Sequence, residues 1–169
     1  FFQGNRLLVE RLVAGALADE GGELAFDLYA GVGLFSLPLG DRFARVVAVE
    51  DERRAATLGR VNTKINGCDN VTYLRATTEQ FLQGNRGPNG ERPDLVVLDP
   101  PRVGAKPALP ALLELRARRM VYVSCDPQTL ARDLRALSDG GYVVESVEAY
   151  DMFPQTYHVE SVARLRFEG

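Results

Sequence analysis

Two periodicities run along the chain. Short apolar runs rich in Val, Leu, Phe and Tyr occupy 24–29, 45–50, 71–75, 95–99, 120–124, 142–148 and 161–167, and their length and composition predict strands. The first five alternate with segments of helical spacing at 6–17, 34–39, 52–66, 108–118 and 127–137, where Asp126, just before Pro127, is placed to cap the last. Such alternation predicts a doubly wound, mostly parallel α/β sheet with helices on both faces. Between the last two runs lies only a turn-like stretch, 150–157, which predicts an antiparallel hairpin at the carboxyl end. The Gly-, Asn- and Pro-rich stretch 83–93 predicts a surface loop rather than a linker, because strand-like sequence follows at once. There is no internal repeat, so one domain is expected over 1–169.

Composition agrees with that picture and narrows the chemistry. With 46% hydrophobic and 25% charged residues the profile is that of one globular domain with a sizeable core. No run approaches the roughly 18 apolar residues of a membrane span, and no charged-then-apolar leader opens the chain, so a cytoplasmic protein without membrane contact is expected. Cys68 and Cys125 form neither a disulfide framework nor a four-thiolate site, and with His158 the single histidine no metal is expected. Twenty basic residues against twenty-three acidic give a net charge of -3, so this chain alone should grip RNA or DNA weakly. The first residue is Phe1, which suggests part of a longer protein whose nucleic-acid-gripping regions lie upstream.

Four motifs carry candidate chemistry. DLYAGVG (27–33) is a strand running into Gly31 and Gly33 before a helix, where glycines let a ligand approach the backbone. Glu50 ends the next strand, where an acid accepts hydrogen bonds from both hydroxyls of a ribose. A nicotinamide cofactor would need the same clamp, but Ser36 replaces the third glycine of the dinucleotide fingerprint, so S-adenosylmethionine, which has no pyrophosphate, fits better. The plain alternative is a glycine turn without a ligand. DPPR (99–102) stiffens the next strand exit and places Asp99 and Arg102 where they could hold a polar planar group such as a base, or merely form a surface ion pair. SCDP (124–127) sets Cys125 between a strand end and a helix start, where amide donors and the positive dipole end favour thiolate; a packed thiol is the alternative. In DMFPQTYHVE (151–160) a proline-containing turn would return Glu160 to Cys125, whereas alone Glu160 reads as an edge-strand charge.

In order, FFQGN, DLYAGVGLFSLPLG, VAVE, LDPPR, VYVSCDPQTLARDL and DMFPQTYHVE resemble the RNA uracil-5-methyltransferase family, over essentially the whole chain. The resemblance implies a Rossmann-like class I S-adenosylmethionine-dependent methyltransferase fold, with a seven-stranded, mostly parallel sheet and an antiparallel carboxyl-terminal strand. It also implies that methyl transfer from S-adenosylmethionine goes to carbon 5 of a uridine in rRNA or tRNA. By that resemblance Gln3, Tyr29, Glu50 and Asp99 contact the cofactor with the turn glycines Gly31 and Gly33, Cys125 is the nucleophile and Glu160 the general base. Leu34 stands where members often carry asparagine, which leaves its backbone for the cofactor, and Ala30 where cysteine is common. The family's amino-terminal RNA-binding barrel and central domain are not in this sequence. An amino-group methyltransferase would use DPPR without needing Cys125, although such enzymes usually carry an aromatic residue at the place of Arg102. A non-catalytic cofactor-binding module is the other alternative.

Overall fold

The computed structural model describes residues 6–18, 20–84, 91–152 and 159–169. Their elements follow as α1 Arg6–Ala16, β1 Gly22–Leu28, α2 Ser36–Gly40, β2 Phe43–Glu50, α3 Arg53–Ile65, β3 Val71–Arg75, α4 Thr78–Gly84, β4 Leu95–Leu98, α5 Leu109–Leu115, β5 Arg119–Ser124, α6 Pro127–Asp139, β6 Tyr142–Tyr150 and β7 Glu160–Phe167. All seven strands join one sheet in the order β3-β2-β1-β4-β5-β7-β6. Strands β1 to β5 run parallel to one another, and β7 runs antiparallel to both β5 and β6. The expected doubly wound sheet and carboxyl-terminal hairpin are both present.

The apolar runs explain which strands lie inside. Every residue of β4 (LVVL) is buried, as expected of a central parallel strand covered on both faces. The outermost strand β6 alternates instead, with Tyr142 buried and Val143 and Val147 exposed. Side chains alternate across the sheet, so Phe26, Leu28, Val96, Leu98, Met120 and Tyr122 meet α4, α5 and α6 on one face. Ala25, Ala48, Leu95, Val97, Val121 and Val123 meet α1 and α2 on the other. At about 25 cal/mol per Å2 of apolar surface, each large side chain so covered contributes roughly 1.5–3 kcal/mol before entropy is counted.

The helix ends follow from caps. The Glu52 carboxylate accepts from the amides of Arg54 and Ala55 to start α3, and the Asp126 carboxylate accepts from those of Gln128 and Thr129 to start α6. Helix α5 stops at Leu115, short of the expected 118, because Arg116 turns left-handed at φ 51°. One helix was not expected from the pattern: α4 has seven residues with Thr78, Phe81 and Leu82 buried, too short a run to establish a period. It also takes the first two residues of the expected 83–93 loop, whose residues 85–90 lie outside the described ones. No helix among the described residues is long and apolar enough to cross a membrane.

Parallel strands bring their carboxyl ends to one edge, and the chain reverses its order across the sheet between β1 and β4. Loops leaving the two strands diverge there and open a crevice. The exits of β1, β2, β4 and β5, which carry all but the last of the motifs, therefore share one edge.

Candidate active site

The β1 exit is held in left-handed backbone geometry, with φ 64° at Tyr29, 56° at Gly31 and 106° at Gly33. A side chain at Gly31 would meet nothing within 4 Å, so the turn faces open space. The Gly31 amide donates to Glu50 Oε2 at 2.7 Å, and the Glu52 amide donates to Oε1 at 2.8 Å. Two backbone donors thus fix the Glu50 carboxylate, leaving further lone pairs for a ligand. Burial, the largest cause, raises the Glu50 pKa above the ordinary carboxylate value. Leu34 turns its side chain against the apolar cluster under α1 and α2 rather than offering a polar contact.

Below this turn lies a polar cluster that the sequence reading missed. Asp27 is fully buried and accepts a hydrogen bond from Ser36 Oγ, which lies 3.1 Å from the Tyr73 hydroxyl. Asp27 Oδ1 has no hydrogen-bond partner among the described residues. Burial pushes the Asp27 pKa up to about 7, against the lowering effect of Ser36. The signal was an acid inside an otherwise apolar strand, and the Ser36 that displaces the third fingerprint glycine is its partner. A cavity of about 240 Å3 opens beside Tyr29, bounded by Val49, Asp51, Thr77, Thr78, Pro101 and Gly104. The Tyr29 phenol is raised to about 12, mainly by burial, against the lowering effect of the Thr78 side chain. Asp51, Thr77 and Thr78 lacked any motif because they come from separate strand exits.

The remaining predicted residues gather across the β4, β5 and β7 ends. Ser124, the last residue of β5, pairs with Ser161 of β7, so Cys125 leaves β5 at the end where Glu160 opens β7, and it feels the Glu160 charge. Glu160 is only 2% exposed, although it opens its strand. The Arg102 side chain lies near enough to the Cys125 thiol to favour its charged form. Asp99 is pushed up to about 8 by burial first, then by the charges of Glu160 and Asp27. Asp99 thus lies electrostatically between the cluster under the turn and the Cys125–Glu160 pair. Gln3 and His158 lie outside the described residues.

One expectation is corrected. The Cys125 pKa is raised, by burial first, then by the Glu160 charge, against the lowering effect of Arg102. The helix start does not deliver its amides to the sulfur, because Asp126 takes those of Gln128 and Thr129 at 3.0 and 2.9 Å. Among the described residues no group of three or more His, Cys, Asp or Glu could hold a metal ion.

The family model for tRNA (uracil-5-)-methyltransferase matches residues 1–166. The chain is 41% identical over 169 residues to an uncharacterized RNA methyltransferase of Thermotoga maritima, covering 98% of this chain and 38% of that protein. A second uncharacterized RNA methyltransferase, from Gloeobacter violaceus, is 42% identical over 159 residues, covering 94% of this chain and 34% of that one. The crystal structure of Pyrococcus abyssi tRNA (uracil-54, C5)-methyltransferase in complex with S-adenosyl-L-homocysteine superposes with a TM-score of 0.82 at 35% identity, over 98% of this chain and 40% of that one. Precorrin-6y C5,15-methyltransferase from Geobacter metallireducens shares the fold alone, at 18% identity and a TM-score of 0.69 over 92% of this chain and 86% of that one. The chain therefore spans little more than a third of the length of the curated relatives it matches. With the sheet order, the glycine turn and the paired cysteine and glutamate already in place, these matches establish that the chain belongs to the tRNA (uracil-5-)-methyltransferase family.

Proposed function

We propose that this chain is the S-adenosylmethionine-dependent catalytic domain of an RNA uracil-5-methyltransferase, acting on a uridine of rRNA or tRNA through a covalent Cys125 adduct. The observation that carries the reading is the nearness of Cys125 to Glu160 and Arg102 where β5 ends beside β7, at the sheet edge that also bears the glycine turn and Glu50. The residues present fit the cofactor. Gly31 leaves space over the turn, Glu50 is fixed with lone pairs to spare, and the cavity beside Tyr29, Asp51 and Thr78 suits a flat heterocycle. Gly33 belongs to the same turn, and Asp99 and Gln3 join this set by the family resemblance alone. When bound, S-adenosylmethionine supplies an electrophilic methyl group on a sulfonium.

The chain's own residues supply the rest. Carbon 5 of uracil is a weak nucleophile, and addition of the Cys125 thiolate to carbon 6 moves the C5–C6 π electrons toward carbon 5 and the adjoining carbonyl. Arg102 favours that thiolate, opposing burial and the neighbouring carboxylates. Asp99, held protonated near neutral pH, has a proton to offer a base carbonyl. Once carbon 5 carries the methyl group, the Glu160 carboxylate takes the remaining C5 proton. The C–H electrons reform the C5–C6 double bond and the C6–S pair leaves with Cys125. The base must leave its stack to reach both groups.

The test uses full-length protein, labelled cofactor and target RNA on denaturing gels. Cys125→Ala should abolish methylation and RNA adduct together, whereas Glu160→Gln should trap methylated RNA on the protein. Normal turnover by the cysteine variant would defeat the nucleophilic mechanism. Normal turnover without adduct by the glutamine variant would move the base elsewhere, with His158 the first to examine.

A further inference from the structure

The loop that follows Asp99 and Arg102 is fastened to α6 by a buried cluster that the proposed chemistry does not use. Asp133 lies with Leu130 and Leu137 on the buried stripe of α6 and is fully shielded from solvent. Its Oδ2 accepts from the Tyr122 hydroxyl at 2.7 Å and the Ala105 amide at 2.8 Å, and its Oδ1 accepts from Arg132 Nε at 2.9 Å. Arg132 Nη2 also donates to the Val103 carbonyl at 2.9 Å. A buried carboxylate is strongly destabilising without such partners, so the cluster holds or fails as a unit. Gly104 passes so close, at φ 79°, that a Cβ there would lie 2.5 Å from both Arg132 Nη2 and Asp133 Oδ2.

These contacts join the segments that flank the site. Tyr122 lies on β5 shortly before Cys125, Arg132 and Asp133 lie on the helix that starts just after Cys125, and Val103 to Ala105 follow Arg102 directly. Resting on the reading of Cys125 as nucleophile, we infer that Asp133, Tyr122 and Arg132 are positioning residues that clamp the 99–105 loop to the β5–α6 segment and so keep Arg102 at the Cys125 sulfur. Among the described residues, the charges that bear most on that sulfur are those of Glu160 from β7 and of Asp99 and Arg102 from the loop, and of these Arg102 favours the thiolate. A released loop therefore weakens that favourable partner.

The readout is the pH profile of Cys125 alkylation by iodoacetamide in the full-length protein, followed on the Cys125 peptide by mass spectrometry, beside kcat and cofactor Kd. Asp133→Asn, Tyr122→Phe and Arg132→Ala should each slow alkylation at pH 7 by roughly 3- to 10-fold, the profile moving to higher pH. They should lower kcat by roughly 10- to 100-fold while cofactor Kd stays within about 3-fold, as expected for lost positioning. Tyr142→Phe is the control, since its equally buried hydroxyl donates to the Ala117 carbonyl at 3.1 Å, away from the loop, and it should move neither readout. Tyr122→Phe keeps the ring and Arg132→Ala alters a half-exposed side chain, so either reports if Asp133→Asn does not fold. Parent-like alkylation and turnover in folded clamp variants would overturn the inference, as would equal losses in Tyr142→Phe. Full turnover by Cys125→Ala would instead remove the nucleophile reading, leaving the alkylation comparison to judge the clamp separately.

Discussion

Single residues differ in how openly their sequence context speaks. Cys125 and Glu160 stand in motifs whose surroundings, a strand end and a returning strand, already imply a meeting point, and the β5–β7 pairing ends at Ser124 and Ser161, next to both. Asp27 was hidden because an acid within DLYAGVG reads as part of a turn motif until its burial and its bond to Ser36 are seen. Its raised pKa has a signed consequence. Unfolded Asp27 loses its proton near 3.8, whereas the folded group keeps it up to about 7, so its contribution is fully present below about 4 and declines as pH rises toward 7. Asp27→Asn removes that decline. Between pH 5 and pH 8, urea unfolding should show the parent losing on the order of 3 kcal/mol more than the variant. Identical pH slopes would contradict the burial argument. At Glu50 the expectation concerns binding: with hydrogen bonds to a charged group worth about 1.5–3 kcal/mol, Glu50→Ala should weaken the cofactor Kd by roughly 10- to 100-fold. Calorimetry giving an unchanged Kd would remove Glu50 from the ribose contact.

Elements with a long period or a strong cap were legible, and those defined by tertiary packing were not. The expected 52–66 helix is α3 with its two capping residues included, and Asp126 caps α6 as its place before Pro127 implies. Helix α4 escaped because seven residues with a buried threonine establish no stripe, and Phe81 finds its place only by packing edge-on against Phe26 of β1 at 5.0 Å. The α6 cap also reverses an argument made from sequence. A helix start favours a thiolate only where its amides are available, and here Asp126 engages two of them. Asp126→Ala should therefore cost about 1 kcal/mol of stability yet speed Cys125 alkylation at neutral pH, because the freed amides and the lost negative charge both favour the thiolate. Slower alkylation in a folded variant would show that the cap orients the cysteine more than it competes with it.

At the scale of the whole molecule, charge and length point the same way. A chain with a net charge of -3 has little general attraction for a phosphate backbone, and this one spans only 38% of its Thermotoga maritima relative. On the proposed reading, cofactor recognition rests mainly on strand exits of this chain, whereas presenting a uridine in the right pose needs contacts along the RNA. The two functions should therefore separate on truncation. The isolated chain is expected to bind S-adenosylmethionine in calorimetry, yet to methylate folded RNA at least roughly 100-fold more slowly than the full-length protein, since misplacement of a reacting group alone costs that much. Titrating salt distinguishes the cause: full-length affinity for RNA should fall steeply between about 50 and 200 mM salt, while binding by this chain is expected to be weak and to change little in absolute terms. Equal single-turnover rates for the two proteins would mean that residues of this chain suffice to seat the base, and Arg102, exposed at the rim of the site, would then be the first to replace.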